Sequence, residues 1–335
     1  MQDGTSPGVA GPRMKRRALL LGSAMGLAAQ PKAWAQSYPD RPITIVVAFS
    51  AGGEPDILAR AMAPTMQRLL GQPVVVENRP GATTIIGTEY VARSRPDGYT
   101  LLLTSSTTFA VVPHLFKKLP FTTEQFKPLT LLMRGQLALY CNPKLPFHSV
   151  ADVVAEAKRR RQEPLTYTIT NRGAVAHLSG ERMQQALGIK LQEVPYRGST
   201  QAQQGLMRGD VDIGFDGLPA YVELVQTGSI RALAVTGPKR IGALPDVPTF
   251  DEAGFPGIAQ PYWFGLFAPA GIPDAVSARI LEASRIALRE SSLGERMGAV
   301  GAQLETDDPA SFATMIDKER DSWGELIRSI GLTLD

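Results

Sequence analysis

The sequence predicts an α/β protein with two lobes, each a mostly parallel sheet flanked by helices. Three observations support this fold class. Short apolar runs, typical of strands buried on both faces, alternate with segments of helical periodicity. This alternation stops and then restarts near Asn142-Pro143. The chain also has 335 residues, more than the roughly 250–300 that one hydrophobic core usually serves.

The first lobe begins with an apolar strand at 43–49, which leads into the pair Gly52-Gly53. The next elements are predicted to be a helix at 56–70, a strand at 73–77, a helix at 86–94 and a strand at 99–103. Gly71 marks the end of the first helix, because glycine readily adopts the left-handed conformation found there.

The second lobe repeats the pattern with three helices and four strands. The helices are predicted at 149–161, 177–187 and 199–207, and the strands at 165–170, 192–194, 211–215 and 231–236. A strand at 262–268 then returns to the first lobe, followed by helices at 273–290, 292–300 and 309–330. We therefore assign residues 36–140 and 260–335 to lobe 1 and residues 141–259 to lobe 2, with a hinge where the chain crosses.

Residues 1–35 have the pattern of an N-terminal extension and export signal. Three basic residues at 15–17 precede an apolar run at 18–29 and the sequence Ala33-Trp34-Ala35. The run is too short to span a bilayer, and we predict cleavage after Ala35. Arg16-Arg17 fits twin-arginine export as well as general secretion, and Met14 is an alternative start to Met1.

The charge balance argues against a nucleic-acid-binding protein. Five of the 35 basic residues and one of the 32 acidic residues lie in the first 35 positions, which leaves 30 basic and 31 acidic residues in the remaining 300. A basic surface for phosphate backbones is therefore not expected. One cysteine, Cys141, and three histidines also exclude a disulfide framework and leave little material for a metal site, so we expect no metal and no cofactor.

Three loops share one layout, in which a strand is followed by glycine or hydroxyl residues and then by a helix start. They are 51–53, 104–107 and 171–174. Free backbone N–H groups at a helix start favour an anion, and small residues let it approach. Each loop alone is equally explained as a tight turn with a helix cap, but three together favour a cleft for a small anion.

Catalytic patterns are missing from the sequence. We find no G-x-G-x-x-G, no Walker A loop and no H-E-x-x-H, and the one G-x-S-x-G, at 4–8, is not placed between a strand and a helix. Asp56 is interpreted as a cap of its own helix. His177, near a helix start, is either a neutral donor to an anion or a satisfied helix histidine, and Cys141 is interpreted as a small strand residue.

Nine segments resemble the Bug (TctC-like) family of periplasmic solute receptors of tripartite tricarboxylate transporters. They occur in order along the chain, at 38–43, 51–60, 72–82, 96–102, 177–181, 194–199, 231–237, 244–249 and 264–271. They include 72–82, Gln-Pro-Val-Val-Val-Glu-Asn-Arg-Pro-Gly-Ala, and 194–199, Val-Pro-Tyr-Arg-Gly-Ser, and together they span essentially the whole chain after residue 36, which makes the resemblance highly specific.

The resemblance implies a two-lobed type II periplasmic-binding-protein fold that closes on a small organic carboxylate. It also implies delivery to the large and small membrane subunits of a transporter, location in the periplasm, a monomeric receptor and no chemistry. The binding residues it implies are Phe49, Ala51, Gly52, Gly53, Asp56, Ser105, Ser106, Thr107, Arg172, Gly173, Ala174, His177, Gly198, Ser199 and Asp216.

Two departures from the family pattern bear on the ligand. Glu54 places an acid beside the expected anion site; either it points to solvent, or it disfavours a dianion or selects a cationic group. Arg172 stands where a small polar residue is common; either it binds a distal carboxylate or an aromatic acid, or it is solvated. Two other functions also stay open, a sensor that acts on a membrane signalling partner and an enzyme that acts on an organic acid.

Overall fold

A computed structural model describes residues 38–160, 162–258, 260–290 and 292–334, together with positions 1, 4, 5 and 8. The chain divides into two compact units, Met1–Tyr38 and Pro39–Asp335. The predicted export signal and its cleavage site after Ala35 lie outside the described residues. Within the described part of the chain, no helix combines the length and the apolar character needed to cross a membrane.

The unit Pro39–Asp335 contains eleven strands among its described residues. They are β1 Ile43–Val47, β2 Val74–Asn78, β3 Thr100–Ser105, β4 Phe126–Gly135, β5 Leu137–Cys141, β6 Leu165–Ile169, β7 Leu191–Pro195, β8 Ile213–Gly217, β9 Arg231–Val235, β10 Tyr262–Pro269 and β11 Ala302–Leu304. They form two sheets, one in the order β11-β4-β10-β3-β1-β2 and one in the order β7-β6-β8-β5-β9. The predicted α/β fold with two lobes is thereby confirmed.

The α-helices lie between and after these strands. They are α1 Glu54–Leu70, α2 Ile85–Ala92, α3 Val112–Leu115, α4 Val150–Arg159, α5 Val175–Leu187, α6 Ser199–Arg208, α7 Val222–Gln226, α8 Asp274–Glu290, α9 Leu293–Gly298 and α10 Pro309–Ile330. A π-helical turn, Thr107–Val111, precedes α3. α1 begins two residues earlier than predicted, because Pro55 is tolerated in a first helical turn, where no N–H partner is needed.

Each sheet combines parallel and antiparallel strands. β1 pairs in parallel with β2 and β3, and β6 pairs in parallel with β7 and β8. The strands β4, β5, β10 and β11 are antiparallel to their neighbours. The predicted mostly parallel sheets are thus mixed, since β4 and β11 were not predicted and the returning strand β10 enters against the direction of β3.

The chain passes between the sheets at two neighbouring points. Only Gln136 separates β4 from β5, and residues 236–261 separate β9 from β10. The Gln136 side chain accepts a hydrogen bond from the Gly237 amide at 3.1 Å, and its carbonyl accepts one from the Leu218 amide at 3.0 Å. β5 belongs to the second sheet, a few residues before the predicted boundary at 140/141.

Apolar clusters fill the space between sheets and helices. Trp263, Phe267 and Phe312 are buried beside the first sheet, and Tyr167 and Phe215 are buried beside the second. A further cluster joins α5, α10 and the turn before α3. Cys141 is fully buried in β5, and burial raises the pKa of its thiol to about 11, as fits a small strand residue.

Candidate ligand-binding cleft

A cleft of about 560 Å³ lies where loops of the two sheets face each other, a size that suits a small-molecule ligand. The loops follow the carboxyl ends of β1, β3, β6 and β8, the usual ligand position in α/β sheets. The lining residues are Phe49, Gly52, Gly53, Glu54, Ile57, Ser105, Ser106, Thr107, Leu137, Thr170, Ala174, Val175, Ala176, Ser199, Asp216, Gly217, Pro219, Ala220, Tyr262 and Phe264.

The glycine pair at the start of α1 forms part of the cleft wall. Gly52 has φ +83°, a conformation that favours glycine. Its amide donates to Asp56 Oδ2 at 2.9 Å, and Asp56 in turn accepts from Arg60. Asp56 therefore fixes the glycine turn that precedes its own helix. It accepts from no amide of the helix itself, so it is not the helix cap expected from sequence, and it does not line the cleft.

Asp56 is buried and carries a stabilised negative charge. Burial by itself would raise its pKa, but hydrogen bonds from Arg60, from the Gly52 amide and from Asn78, together with the Arg60 charge, hold the pKa below its ordinary value. The amides of Gly53 and Glu54 open the helix and have no intrahelical acceptor.

The hydroxyl loop, which we define as Ser105–Thr107, follows β3 and is held from behind by buried threonines. Thr108 Oγ1 lies 2.6 Å from Thr104 Oγ1 and 2.7 Å from Thr84 Oγ1. The loop itself lines the cleft; that it binds a ligand stays a prediction. Ser106 Oγ is buried there without a hydrogen-bond partner, which is unusual for a buried hydroxyl.

On α5, beside the second sheet, His177 holds the loop 171–174 by a hydrogen bond. Its Nδ1 accepts from the Gly173 amide at 3.0 Å, and its Nε2 lies 3.0 Å from Glu193 Oε1. The ring is only 1% exposed and does not line the cleft. His177 is thus the satisfied helix histidine that was one of its two interpretations, while Ala174, Val175 and Ala176 form the wall.

Arg172 points away from the cleft. Its guanidinium lies 2.8 Å from Glu193 Oε2, and its side chain is 55% exposed. The structure therefore does not provide an arginine fork at the cleft wall. The other predicted residues outside the wall are Ala51, Gly173 and Gly198, which shape the loops next to it.

Asp216 and Ser199 bring a carboxyl and a hydroxyl group from the second sheet to the cleft. Asp216 accepts from the Gly217 amide at 2.8 Å and from Tyr221 Oη at 3.3 Å. Burial raises the pKa of Asp216 despite these hydrogen bonds and one from Ser199.

Glu54 lines the cleft and does not point to solvent, so the first of its two interpretations is wrong. Both carboxylate oxygens lie within hydrogen-bonding distance of Tyr262 Oη, at 2.9 and 2.7 Å. Burial raises the pKa of Glu54; the Tyr262 hydrogen bond opposes this shift, and the charge of Asp216 adds to it. Burial and the Glu54 charge raise the pKa of Tyr262 far enough to keep its hydroxyl a donor.

The cleft therefore combines hydroxyl groups, apolar walls and two carboxyl groups. Among its lining residues in the described part of the chain there is no lysine, arginine or histidine. Tyr262 and Phe264 were not identified as site residues from sequence, because they reach the cleft only through the returning strand β10. The edge-to-face contact of Phe264 with Phe49, with ring centroids 5.7 Å apart, extends the apolar wall.

One group outside the cleft has donor atoms suited to a cation. His177, Glu181 and Glu193 place one nitrogen and two carboxylate oxygens within 4.8 Å of one another. These atoms already serve the fold: His177 holds Gly173, Glu193 holds Arg172, and Glu181 accepts from Tyr167 and Gln184. We therefore assign the group a structural role.

Comparison with known proteins gives the family. The TctC family, described as "Tripartite tricarboxylate transporter family receptor", matches residues 58–332. A UPF0065 protein of Bordetella pertussis is 34% identical over 306 residues, 91% of this chain and 94% of that protein. Protein BugT of the same organism is 35% identical over 302 residues, 90% and 92% of the two chains.

Solved structures agree with this result. Periplasmic binding protein BugD is 32% identical, with a TM-score of 0.75 over 88% of this chain and 99% of its own. R. palustris Rpa4515 with adipate is 31% identical, with a TM-score of 0.77 over 88% and 99%. MatC from Rhodopseudomonas palustris with bound malate is 30% identical, with a TM-score of 0.74 over 87% and 100%. This chain belongs to the TctC family of tripartite tricarboxylate transporter receptors, as the resemblance in its sequence indicated.

Proposed function

We propose that the protein is a periplasmic receptor that binds a small organic carboxylate in the cleft and delivers it to a tripartite tricarboxylate-type transporter. The observation that carries this proposal is the hydroxyl loop, where Ser106 lines a cleft of ligand size and its buried Oγ has no hydrogen-bond partner. Relatives of the same fold hold adipate and malate.

The ligand carboxylate is held by hydrogen bonds and not by a basic side chain. Ser105, Ser106 and Thr107 supply hydroxyl donors, and the helix starts at Val175 and Ser199 supply free N–H groups and the positive end of a helix dipole. Hydrogen bonds to an ionised oxygen are stronger than neutral ones, and exclusion of water strengthens them further. This arrangement supports capture and release without a covalent step.

The proposal also includes the lobe boundaries and the export and cleavage of the chain. We place the lobe boundaries at the two crossings, near residue 136 and within residues 236–261, since the chain changes sheets there. The receptor is exported, is cut after Ala35, acts as a monomer and meets the large and small membrane subunits in its liganded form.

Thermal-shift screening of the protein purified from the periplasm tests the proposal. Mono-, di- and tricarboxylates and aromatic acids are the panel, and a specific acid at 100 times its Kd adds about 2.7 kcal/mol to the free energy of unfolding. Ser106→Ala should weaken that acid about tenfold. Ser94→Ala, whose hydroxyl donates to the Tyr90 carbonyl, is the matched control.

Two results would contradict the proposal. If no acid of the panel stabilises the protein, the proposed carboxylate binding is wrong. Normal uptake of the identified acid in a strain that lacks the receptor would remove the transport function and favour a sensor. N-terminal sequencing of the exported protein checks the predicted cleavage after Ala35.

A further inference from the structure

We infer that the acid taken by this cleft also carries a cationic nitrogen, an ammonium or a protonated ring nitrogen, held between Glu54 and Asp216. This inference rests on the proposed carboxylate-binding function and names the chemical class of ligand within it. A plain dicarboxylate is then a poor ligand.

The charge of the cleft is the first argument. Glu54 from the first sheet and Asp216 from the second both line it, and no basic side chain does so among the described lining residues. A carboxylate guest alone would add a negative charge to two acids in a partly buried site, where charges interact more strongly than in water. A guest that brings its own cation balances this charge, because a buried carboxylate needs a partner.

Glu54 has acceptor capacity left for such a guest. Its two oxygens lie near the same Tyr262 hydroxyl, which has only one proton to donate, whereas a carboxylate accepts about four hydrogen bonds. β1 and β10 flank β3 in the sheet, so the Tyr262–Glu54 contact joins elements on both sides of the hydroxyl loop. This contact therefore fixes the Glu54 carboxylate beside the hydroxyl loop, where we place the anionic end of the guest.

The anionic end has its own separate donors. At the glycine pair, the Gly52 amide is already bonded to Asp56, and Glu54 places a negative charge at the same helix start. In the hydroxyl loop, by contrast, buried Ser106 Oγ has no partner. This unpartnered group points to a ligand independently of the acids, and it places the guest's carboxylate at the hydroxyl loop and its cation at the acids.

The environment of the two acids agrees with this assignment. The hydrogen bonds to these carboxyl groups come from neutral groups, Tyr262 on Glu54 and the Gly217 amide and Tyr221 on Asp216. Burial, and for Glu54 also the charge of Asp216, accordingly raises the pKa of both. A guest cation removes this cost. The alternative is a Glu54 that keeps a proton and donates it to a second carboxylate of the guest, and this alternative predicts different behaviour of a glutamine variant.

The experiment uses two pairs of probes with the same carbon skeleton, pentanoate with 5-aminopentanoate and glutarate with glutamate. Affinities for the wild-type protein, Glu54→Gln and Asp216→Asn are measured by calorimetry at neutral pH. Glutamine keeps an acceptor for Tyr262 and so preserves the local fold. Glu282→Gln, the same change on the exposed face of α8, is the matched control, and thermal unfolding confirms that each variant is folded.

We expect the wild-type protein and Glu282→Gln to prefer the amine-bearing member of at least one pair. Glu54→Gln should reduce that preference about 10- to 100-fold, the loss of a hydrogen bond between charged groups, and Asp216→Asn should reduce it in the same direction. In calorimetry, we expect the wild-type protein to bind glutarate no more tightly than pentanoate, because the second carboxylate has no amine beside it.

Several outcomes would overturn the inference. If acids bind and the amine makes no difference, the inference fails while the carboxylate receptor stands. If Glu54→Gln binds glutarate as well as the wild-type protein does, and that affinity exceeds the one for glutamate, the protonated-carboxyl alternative is correct. If no acid of any kind stabilises the protein, the proposed function fails as well.

Discussion

The loops that precede α1 and α5 are held by the same kind of hydrogen bond, but the accepting side chain is an acid in one and a histidine in the other. In each, a glycine with positive φ donates its amide to the side chain four residues later: Gly52, φ +83°, to Asp56, and Gly173, φ +81°, to His177. Arg60 then fixes the aspartate, and Glu193 fixes the histidine. The difference is that the charged neighbour faces the cleft in the first loop, as Glu54, and faces away in the second, as Arg172.

This comparison shows that a charged residue beside a glycine turn does not reveal its own orientation. The backbone device is the same in both loops, so the two lobes present similar turns to a ligand. What distinguishes them is the partner that is available to each charge: Tyr262 holds Glu54 at the cleft, and Glu193 draws Arg172 to the outside.

Removing the side chain that accepts from the glycine amide should have the largest effect. His177→Ala should lower the free energy of unfolding by about 3 kcal/mol, since it leaves a cavity and the Gly173 amide without its acceptor. Asp56→Ala should cost about 2 kcal/mol, because water reaches the exposed Gly52 more readily. Urea unfolding measures both, and equal losses would mean that burial of the glycine amide does not matter.

The glycines themselves give the next largest difference. Alanine at Gly173 would bring its Cβ within 2.5 Å of buried Leu115, whereas alanine at Gly52 would meet open space. We expect Gly173→Ala to cost about 2–3 kcal/mol, from the positive φ and the collision. Gly52→Ala should cost about 1–2 kcal/mol from φ alone. A larger loss at Gly52, again in urea, would contradict this account.

The two acids of the first loop should respond oppositely to pH. Asp56 has a lowered pKa in the fold, so it stabilises above its unfolded pKa and loses that contribution as pH falls through the folded value. Asp56→Asn should therefore be about 1 kcal/mol less stable than wild type at neutral pH, with the deficit shrinking in acid.

Glu54 has a raised pKa in the fold, so its contribution is complete below the unfolded value of 4.5 and is lost as pH rises through the folded value. Glu54→Gln should gain stability relative to wild type as pH rises. Chemical denaturation of wild type and both variants from acid to mildly alkaline pH provides the test. If the stability difference from wild type changes with pH in the same direction for both variants, the two acids do not have oppositely shifted pKa values.

Arg172→Ala should have the smallest effect on binding. Its guanidinium pairs with Glu193 on the outside, so we expect the affinity for the identified acid to change less than about twofold. Calorimetry on this variant beside Glu54→Gln sharpens the comparison, since only the latter removes a group from the cleft wall. A tenfold loss of affinity in Arg172→Ala would instead support the hypothesis from sequence that Arg172 binds a carboxylate of the ligand.

Much of the fold follows from local sequence patterns. The parallel strands are short apolar runs, such as Ile43–Val47, and the ends of α1 and α10 coincide with glycines. β4 was missed because Phe126–Gly135 contains Lys127, Pro128 and Arg134, and its role depends on β10, which arrives more than a hundred residues later.

The site was only partly accessible to sequence reasoning. The spacing of a glycine and an aspartate or histidine four residues later is visible in both loops, and it would have assigned His177 to the fold. Parallel pairing of β6 with β7, in which Tyr167 pairs with Glu193, would have brought Glu193 towards the loop of Arg172. The contact between Glu54 and Tyr262 spans 208 residues and depends on the returning strand, so no local pattern contains it.

The single-residue passage at Gln136 has a mechanical consequence. Its carbonyl is bonded to the Leu218 amide, two positions beyond Asp216, and its side chain is bonded to the other passage at Gly237. The two passages and the segment that carries Asp216 are therefore tied together by hydrogen bonds. In the proposed receptor, a change in the angle between the lobes at these passages would act next to an acid of the ligand site, so closure and ligand contact would be coupled at this point.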